Sequence, residues 1–323
     1  MKEYVIFTDS CADLSPVMLK ELHVKVLNLH VVLNNEEYLC TEDEGNLHLR
    51  QFYEQMRQGA TTSTSQISPA EYKETFSPVL AGGKDILYIG FSSGLSATIN
   101  AARLAANELE ESMPDGKARV VDSLSASMGQ GLLVWYAAMM RKRGKSLDET
   151  ADWVEENKLR MRHLFTVDDL NFLRRGGRLS GAKAIVGTEL NMKPLLHIDD
   201  SGHISVFDTI RGCRKSLLTM AENMGRSDYE PHSQTVFISH GDCLEDAQFL
   251  ANESRSRFGV REIHINIISP VIGGHSGPGT IALFFLAPNR NTGLQGIKST
   301  AGERKKDTFE VDRERDVIYK EDA

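Results

Sequence analysis

Gly90-Phe91-Ser92-Ser93-Gly94-Leu95-Ser96-Ala97-Thr98 decides how the first half of the chain is read. It follows the apolar run Asp85–Ile89 and precedes the Ala-rich, helix-patterned run Thr98–Leu109, so it is a strand–turn–helix corner. Upstream, Tyr4–Asp9 reads as a strand, Pro16–Leu22 as a short helix, Val24–Leu33 as a second strand and Leu47–Gln58 as a helix. Ser68-Pro69-Ala70-Glu71 is a capping box with proline at the first helical position, which starts another helix. Downstream, Ala118–Val121 is a strand followed by the helical run Met128–Arg143. This β-α-β-α alternation predicts an α/β fold with a parallel sheet covered by helices. Ligands of such sheets bind at the carboxyl ends of the strands. Here those ends are Thr8-Asp9-Ser10, Gly90–Ser96 and Asp122-Ser123, all hydroxyl-bearing.

The pattern changes after the helical run Leu147–Met161. His163–Val167 reads as a strand, followed by a short helix ending at Arg174-Arg175-Gly176-Gly177. Lys193–Ile198 and His203–Ile210 flank Asp199-Asp200-Ser201-Gly202, a hairpin signal. A helix (Cys213–Met224), a strand (Thr235–Ser239), a helix (Leu244–Phe258) and two strands (Glu262–Ile268, Thr280–Leu286) follow. A hairpin inside helix–strand alternation predicts a mixed sheet, hence an α+β domain. The expected division is residues 1–161, 162–287 and a polar tail over 288–323, with the boundary near Arg160–His163. From Arg290 to Ala323 eight basic and eight acidic residues stand among few apolar ones, too few to fold alone.

Composition narrows the function. With 37 Lys+Arg against 45 Asp+Glu the net charge is −8, which argues against nucleic-acid binding. The four cysteines (Cys11, Cys40, Cys213, Cys243) show no C-x-x-C pairing and read as reduced thiols. No signal peptide and no run long enough for a membrane span are seen, so the expected location is cytoplasmic. No H-E-x-x-H and no paired Cys/His spacing exists, so no metal site is expected. His23, His30, His163, His197 and His264 lie in or near apolar runs and read as satisfied core or edge residues.

Two chemistries fit the corner. Gly90-Phe91-Ser92-Ser93-Gly94 matches the G-x-S-x-G nucleophile elbow, which would make the chain a serine hydrolase using Ser92, His275 and an acid such as Asp242. The same hydroxyls and N–H groups at a helix start also make an anion cradle. Against the hydrolase, no H-G-G-G-type segment lies upstream, and His275 falls beyond the hairpin. Thr61–Ser68 reads as a loop entering an N-cap, some of whose hydroxyls could share a crevice with Ser93 and Ser96. Ile272–Gly279, with four glycines and one proline around His275, reads as a tight loop presenting that histidine and its N–H groups. No lysine follows as a Walker A loop requires. Arg174–Arg178 and Arg211 read as solvated or partner-facing.

Seven segments in order resemble the DegV family. They are Thr8-Asp9-Ser10-x-Ala12-Asp13-Leu14, Thr64-Ser65-Gln66-x-Ser68-Pro69, Ser92-Ser93-Gly94-Leu95-Ser96-x-Thr98, Leu173-Arg174-Arg175-Gly176-Gly177-Arg178, Lys193-Pro194-Leu195-Leu196, Arg211 and Gly274-His275-x-Gly277-Pro278-Gly279. The resemblance implies two α/β domains with a long-chain fatty acid of palmitate or oleate type between them. It implies a carrier with no catalytic residues and no cofactor, serving phospholipid synthesis and touching membranes only transiently. A fatty acid kinase is the implied partner that phosphorylates the acyl carboxylate. Carried over by position, Thr64 and Ser96, with Ser65 and Ser93 nearby, would hold the carboxylate. Arg211 and His275 would stand at the mouth or at the kinase contact. Ile67 and Ala97 depart from the family's usual proline and glycine, which puts loop shape and chain-length preference in question.

Overall fold

The computed structural model describes residues 2–39, 49–179, 191–227, 231–290 and 294. In chain order the first part is β1 (Tyr4–Asp9), α1 (Pro16–Leu22), β2 (Val24–Leu27), β3 (His30–Leu33), β4 (Glu36–Leu39), α2 (Leu49–Arg57), β5 (Thr62–Ser65) and α3 (Pro69–Ala81). There follow β6 (Asp85–Gly90), α4 (Thr98–Ser112), β7 (Ala118–Asp122), α5 (Met128–Lys142) and α6 (Leu147–Asn157). The remainder is β8 (Met161–Thr166), α7 (Asn171–Arg175), β9 (Met192–Ile198), β10 (Ile204–Arg211), α8 (Cys213–Gly225), β11 (Thr235–His240), α9 (Leu244–Phe258), β12 (Glu262–Ile267), α10 (Pro270–Ser276) and β13 (Ile281–Leu286).

β2-β1-β6-β7 form a parallel sheet, as the alternation predicts. β10-β9-β8-β13-β11-β12 form a mixed sheet in which only β11 and β12 run parallel. The hairpin read at Asp199–Gly202 joins β9 to β10. The capping box read at Ser68/Glu71 starts α3, and a second box, at Ser146/Glu149, starts α6.

Three expectations need correction. Val24–Leu33 is two strands, because Leu27 ends the parallel sheet and His30 begins a separate three-stranded sheet, β4-β3-β5. Thr62–Ser65, expected as loop, is the third strand of that sheet, with Thr64 paired to Val31. Its burial alternates, so Thr62 and Thr64 face inward while Ser63 and Ser65 face solvent. The glycine-rich segment, expected as a loop, is mostly helix: Ser269 and Pro270 open α10, and it ends at Gly277 (φ 84°). Its glycines permit contact instead of turning, since a Cβ on Gly273 would lie 2.4 Å from the Tyr53 hydroxyl. Cys40, the start of the helix read from Leu47, and residues 291–293 and 295–323 of the tail lie outside the described residues.

The mixed sheet has two apolar faces, with strand alternation deciding which residue goes where. Leu164, Leu283 and Phe285 point under α8 and α9 and pack with Leu217 and Leu250. Phe165, Ala282 and Phe284 point the other way and join a core shared with Phe91, Leu95 and Ile99 of the corner and α4. A ligand space can therefore lie between the two sheets, reached by the corner from one side and by α10 from the other.

Arg290, read as the start of a solvated tail, is fully buried. Its guanidinium donates to the carbonyls of Leu124 (2.8 Å), Lys158 (2.6 Å), Met161 (3.1 Å) and Asp199 (2.9 Å).

Candidate functional site

β5, the corner after β6, the segment after α7, and α10 converge on one cavity between the sheets. It holds about 730 Å³ of atom-free space, its open mouth included, within the roughly 300–1,000 Å³ of small-molecule sites. Its walls are mainly carbon, from residues such as Phe91, Leu95, Phe165, Ile198, Val271 and Phe284. Along α10 the cavity-lining positions are Val271, Ile272, His275 and Ser276, one face of the helix. That face is apolar at its start and polar at its end.

The polar end brings together three of the residues singled out from sequence. Thr64, Ser96 and His275 all line the cavity, with Thr64 Oγ1 lying 2.9 Å from His275 Nε2. Thr62, also inward on β5, donates to the Gly274 carbonyl at 2.7 Å and fixes strand to helix. A proton on Nε2 lets the imidazole donate to Thr64 and leaves the Thr64 O–H free to donate into the cavity. The Ser96 hydroxyl accepts the Thr98 N–H at 3.3 Å, so its own proton is likewise free.

Burial, helped by the nearby Arg178 guanidinium, pushes the His275 imidazole down to about 4. It is therefore neutral at physiological pH. Burial lowers Arg178 as well, yet its pKa stays far above neutrality, so it supplies positive potential at this end. Its Nε donates to the Leu95 carbonyl at 3.2 Å, tying it to the corner beside Ser96. A carboxylate placed here would meet two hydroxyl donors and one cation.

The structure does not bring Ser65, Ser93 or Arg211 to the cavity lining. Ser65 points outward by strand alternation. Ser93 is exposed, and its N–H donates to Asp122 at 3.2 Å. Arg211 is exposed at the end of the edge strand β10.

The hydrolase reading loses its triad. Ser92 is fully buried and donates at 2.9 Å to the Gly202 carbonyl in the β9–β10 turn. Asp242 pairs with Arg57 at 2.7 Å, and His275 with Thr64. Each would-be member is thus bonded elsewhere. The glycines of the elbow serve a close approach: a Cβ on Gly94 would lie 2.7 Å from the Gly202 backbone.

Several cavity residues went unread in the sequence. Arg178 was grouped with a basic run, although the turn at Gly177 (φ 70°) aims it back inward. Ser127, His163, Ser239 and Ser276 come from four separate elements, and no local spacing marks them. Ser276 is 5% exposed, and its hydroxyl has no partner among the described residues. His163 is satisfied: Nδ1 lies 3.2 Å from the Met161 carbonyl, and Nε2 accepts the Ala126 N–H at 3.3 Å. Ser269-Pro270 was the one local signal that could have revealed α10.

Among the described residues no group of three or more His, Cys, Asp or Glu side chains could hold a metal ion. No described helix is long and apolar enough to cross a membrane.

Known proteins resemble the whole described fold. A DegV domain-containing protein of Clostridium perfringens is 44% identical over 290 residues, 90% of this chain and 99% of that one. A solved DegV family protein of Thermus thermophilus, described for its fatty acid binding, matches with a TM-score of 0.78 and 29% identity. That match covers 89% of this chain and 100% of the other. DegV of Bacillus subtilis, described as a fatty acid binding protein, matches with a TM-score of 0.78, 27% identity and the same coverage. The model of the DegV family, a family described as uncharacterised, matches residues 3–288, and the chain belongs to that family.

Proposed function

We propose that this protein binds a long-chain fatty acid between its two sheets and holds the carboxylate at Thr64 and Ser96. The observation that carries this reading is a carbon-walled cavity whose polar groups gather at one end, around the Thr64–His275 pair. Ser276 offers a third hydroxyl there, and Arg178 offsets the negative charge. Burying about 14 methylenes at ~0.8 kcal/mol each gives a gross term of roughly 11 kcal/mol. Association and ordering costs remove a large part of that. The tail then supplies most of the affinity, and the head-group hydroxyls orient the carboxylate and add the rest. A head group held by neutral hydroxyls near the mouth suits transfer to a fatty acid kinase, which would phosphorylate the carboxylate while the protein itself performs no chemistry.

The test is native mass spectrometry of the purified protein followed by solvent extraction, with palmitate and oleate titrations of delipidated protein. A near-stoichiometric fatty acid, or saturable uptake by the empty protein, is the expected result. An empty protein that takes up neither acid, and whose Ser92 is labelled by a fluorophosphonate, would sink the proposal. Kinase presentation has its own test, the formation of acyl phosphate from the bound acid when a bacterial fatty acid kinase and ATP are added.

A further inference from the structure

The cavity wall carries a bonded pair of serine hydroxyls that carboxylate binding does not use. Ser239 on β11 stands opposite Ala282 on β13, and Ala282 opposite Phe165 on β8. These three form one row across the sheet, and all three line the cavity. Ser239 thus interrupts carbon wall where methylenes of an acyl chain would lie. Its hydroxyl lies 2.9 Å from that of Ser127, which also lines the cavity and bonds Asp13 Oδ2 at 2.5 Å.

The position of this pair along the cavity follows from α10. The other Asp13 oxygen accepts the Ser269 N–H at 2.9 Å, which places Asp13, Ser127 and Ser239 at the start of α10. His275 lies six residues further on, roughly 9 Å along a helix axis. Through Asp13 the pair is thus tied to the start of α10, whereas the carboxylate end is tied to its last turn.

Ser239 has unspent bonding capacity. It is fully buried, and a serine hydroxyl can donate once and accept twice, yet among the described residues its hydroxyl is bonded to Ser127 alone. Ser127 does not cap α5 with its side chain and sits at φ 53°, ψ −148°, where residues other than glycine are strained. Its hydroxyl is held instead by Asp13 and Ser239.

We propose that Ser239, oriented by Ser127, forms a second polar subsite that takes a hydroxyl group borne on the acyl chain, making hydroxylated long-chain fatty acids a preferred ligand class. This inference rests on the fatty-acid reading above. Ser127 donates to Asp13, so Ser239 donates to Ser127 and keeps free lone pairs that a chain hydroxyl can donate to. A plain chain brings no donor to those lone pairs, whereas a chain hydroxyl adds one hydrogen bond there.

The experiment compares stearate with a positional series of monohydroxystearates by calorimetric titration of delipidated protein. At least one isomer is expected to bind about three- to tenfold more tightly than stearate, the worth of one net hydrogen bond. Ser239→Ala is expected to abolish that preference while binding stearate at least as well as the native chain. Ser239→Cys, close in shape and a weak donor, gives the same readout should the alanine variant fold poorly. If every isomer binds the native protein less tightly than stearate, or the preference survives both substitutions, the subsite is overturned. If stearate itself fails to bind, the fatty-acid reading falls, a result separable from failure of the subsite alone.

Discussion

At the scale of single residues, His275 carries the most testable chemistry. Its pKa is lowered to about 4 in the folded chain by burial and by Arg178, against an ordinary value of 6.5. A depressed imidazole contributes stability that is complete above pH 6.5 and lost as pH falls toward 4. A carboxylate arriving beside Thr64 favours the imidazolium, so binding should draw a proton onto His275. Calorimetry near pH 6 in buffers of different ionisation heat is expected to show net proton uptake in the native protein and less in His275→Gln. Equal uptake in both would remove His275 from the head-group site. The hydroxyls follow the same logic. Thr64→Val and Ser96→Ala each remove a donor to a charged group, worth about 1.5–3 kcal/mol, so each is expected to weaken palmitate binding roughly 10- to 100-fold. Ser92→Ala should leave binding near native and lower stability, because that hydroxyl joins the corner to Gly202. That Thr64, Ser96 and His275 belong to segments meeting at one cavity was legible from sequence. Ser65 and Ser93 were not separable from them, because side-chain direction depends on strand register and turn geometry, which composition does not carry.

At the scale of elements, boundaries were legible where local chemistry decided them. The Ser68 box and the alternation around β1 and β6 needed no tertiary information. β5 and α10 were read as loops, because a Thr/Ser run and a Gly-rich run look irregular until their partners are known. β5 exists because β3 offers it a register, and α10 because Tyr53 and Thr62 leave room only for glycine. The helix is therefore sensitive at one atom. A methyl at Gly273 meets Tyr53, which is fully buried and held by its bond to the Ile268 carbonyl at 2.9 Å. Gly273→Ala is expected to cost about 1–3 kcal/mol in denaturant unfolding, the usual range for overpacking. Gly59→Ala serves as a comparison, since it faces open space but sits at φ 94°, so any loss there reports backbone strain alone. A Gly273→Ala midpoint equal to the native one would mean that α10 moves away from Tyr53 at little cost.

At the scale of the whole molecule, the buried polar groups that join distant parts of the chain were the least legible of all. Arg290 looked like one charge among many in a polar segment. Its acceptors Leu124, Lys158, Met161 and Asp199 are scattered along the chain and meet only on folding. Arg290→Met keeps much of the volume but strands those carbonyls, and a loss of at least about 3 kcal/mol is expected in urea unfolding. Asp13 shows the opposite balance. It bridges Ser127 on one side and the Ser269 N–H on the other, and burial pushes its carboxyl up to about 7 from 3.8. A carboxyl with a raised folded-state pKa contributes stability that is complete below 3.8 and lost as pH rises through 7. His275 acts in the other direction between pH 4 and 6.5, so the native curve alone does not isolate Asp13. Asp13→Asn does, because the amide can accept from Ser269 and donate to Ser127 at every pH. The stability of the native chain relative to Asp13→Asn is expected to fall by roughly 3–4 kcal/mol between pH 4 and pH 8. A difference that stays flat across that range would show that Asp13 is ionised throughout and holds the sheets together as a charge.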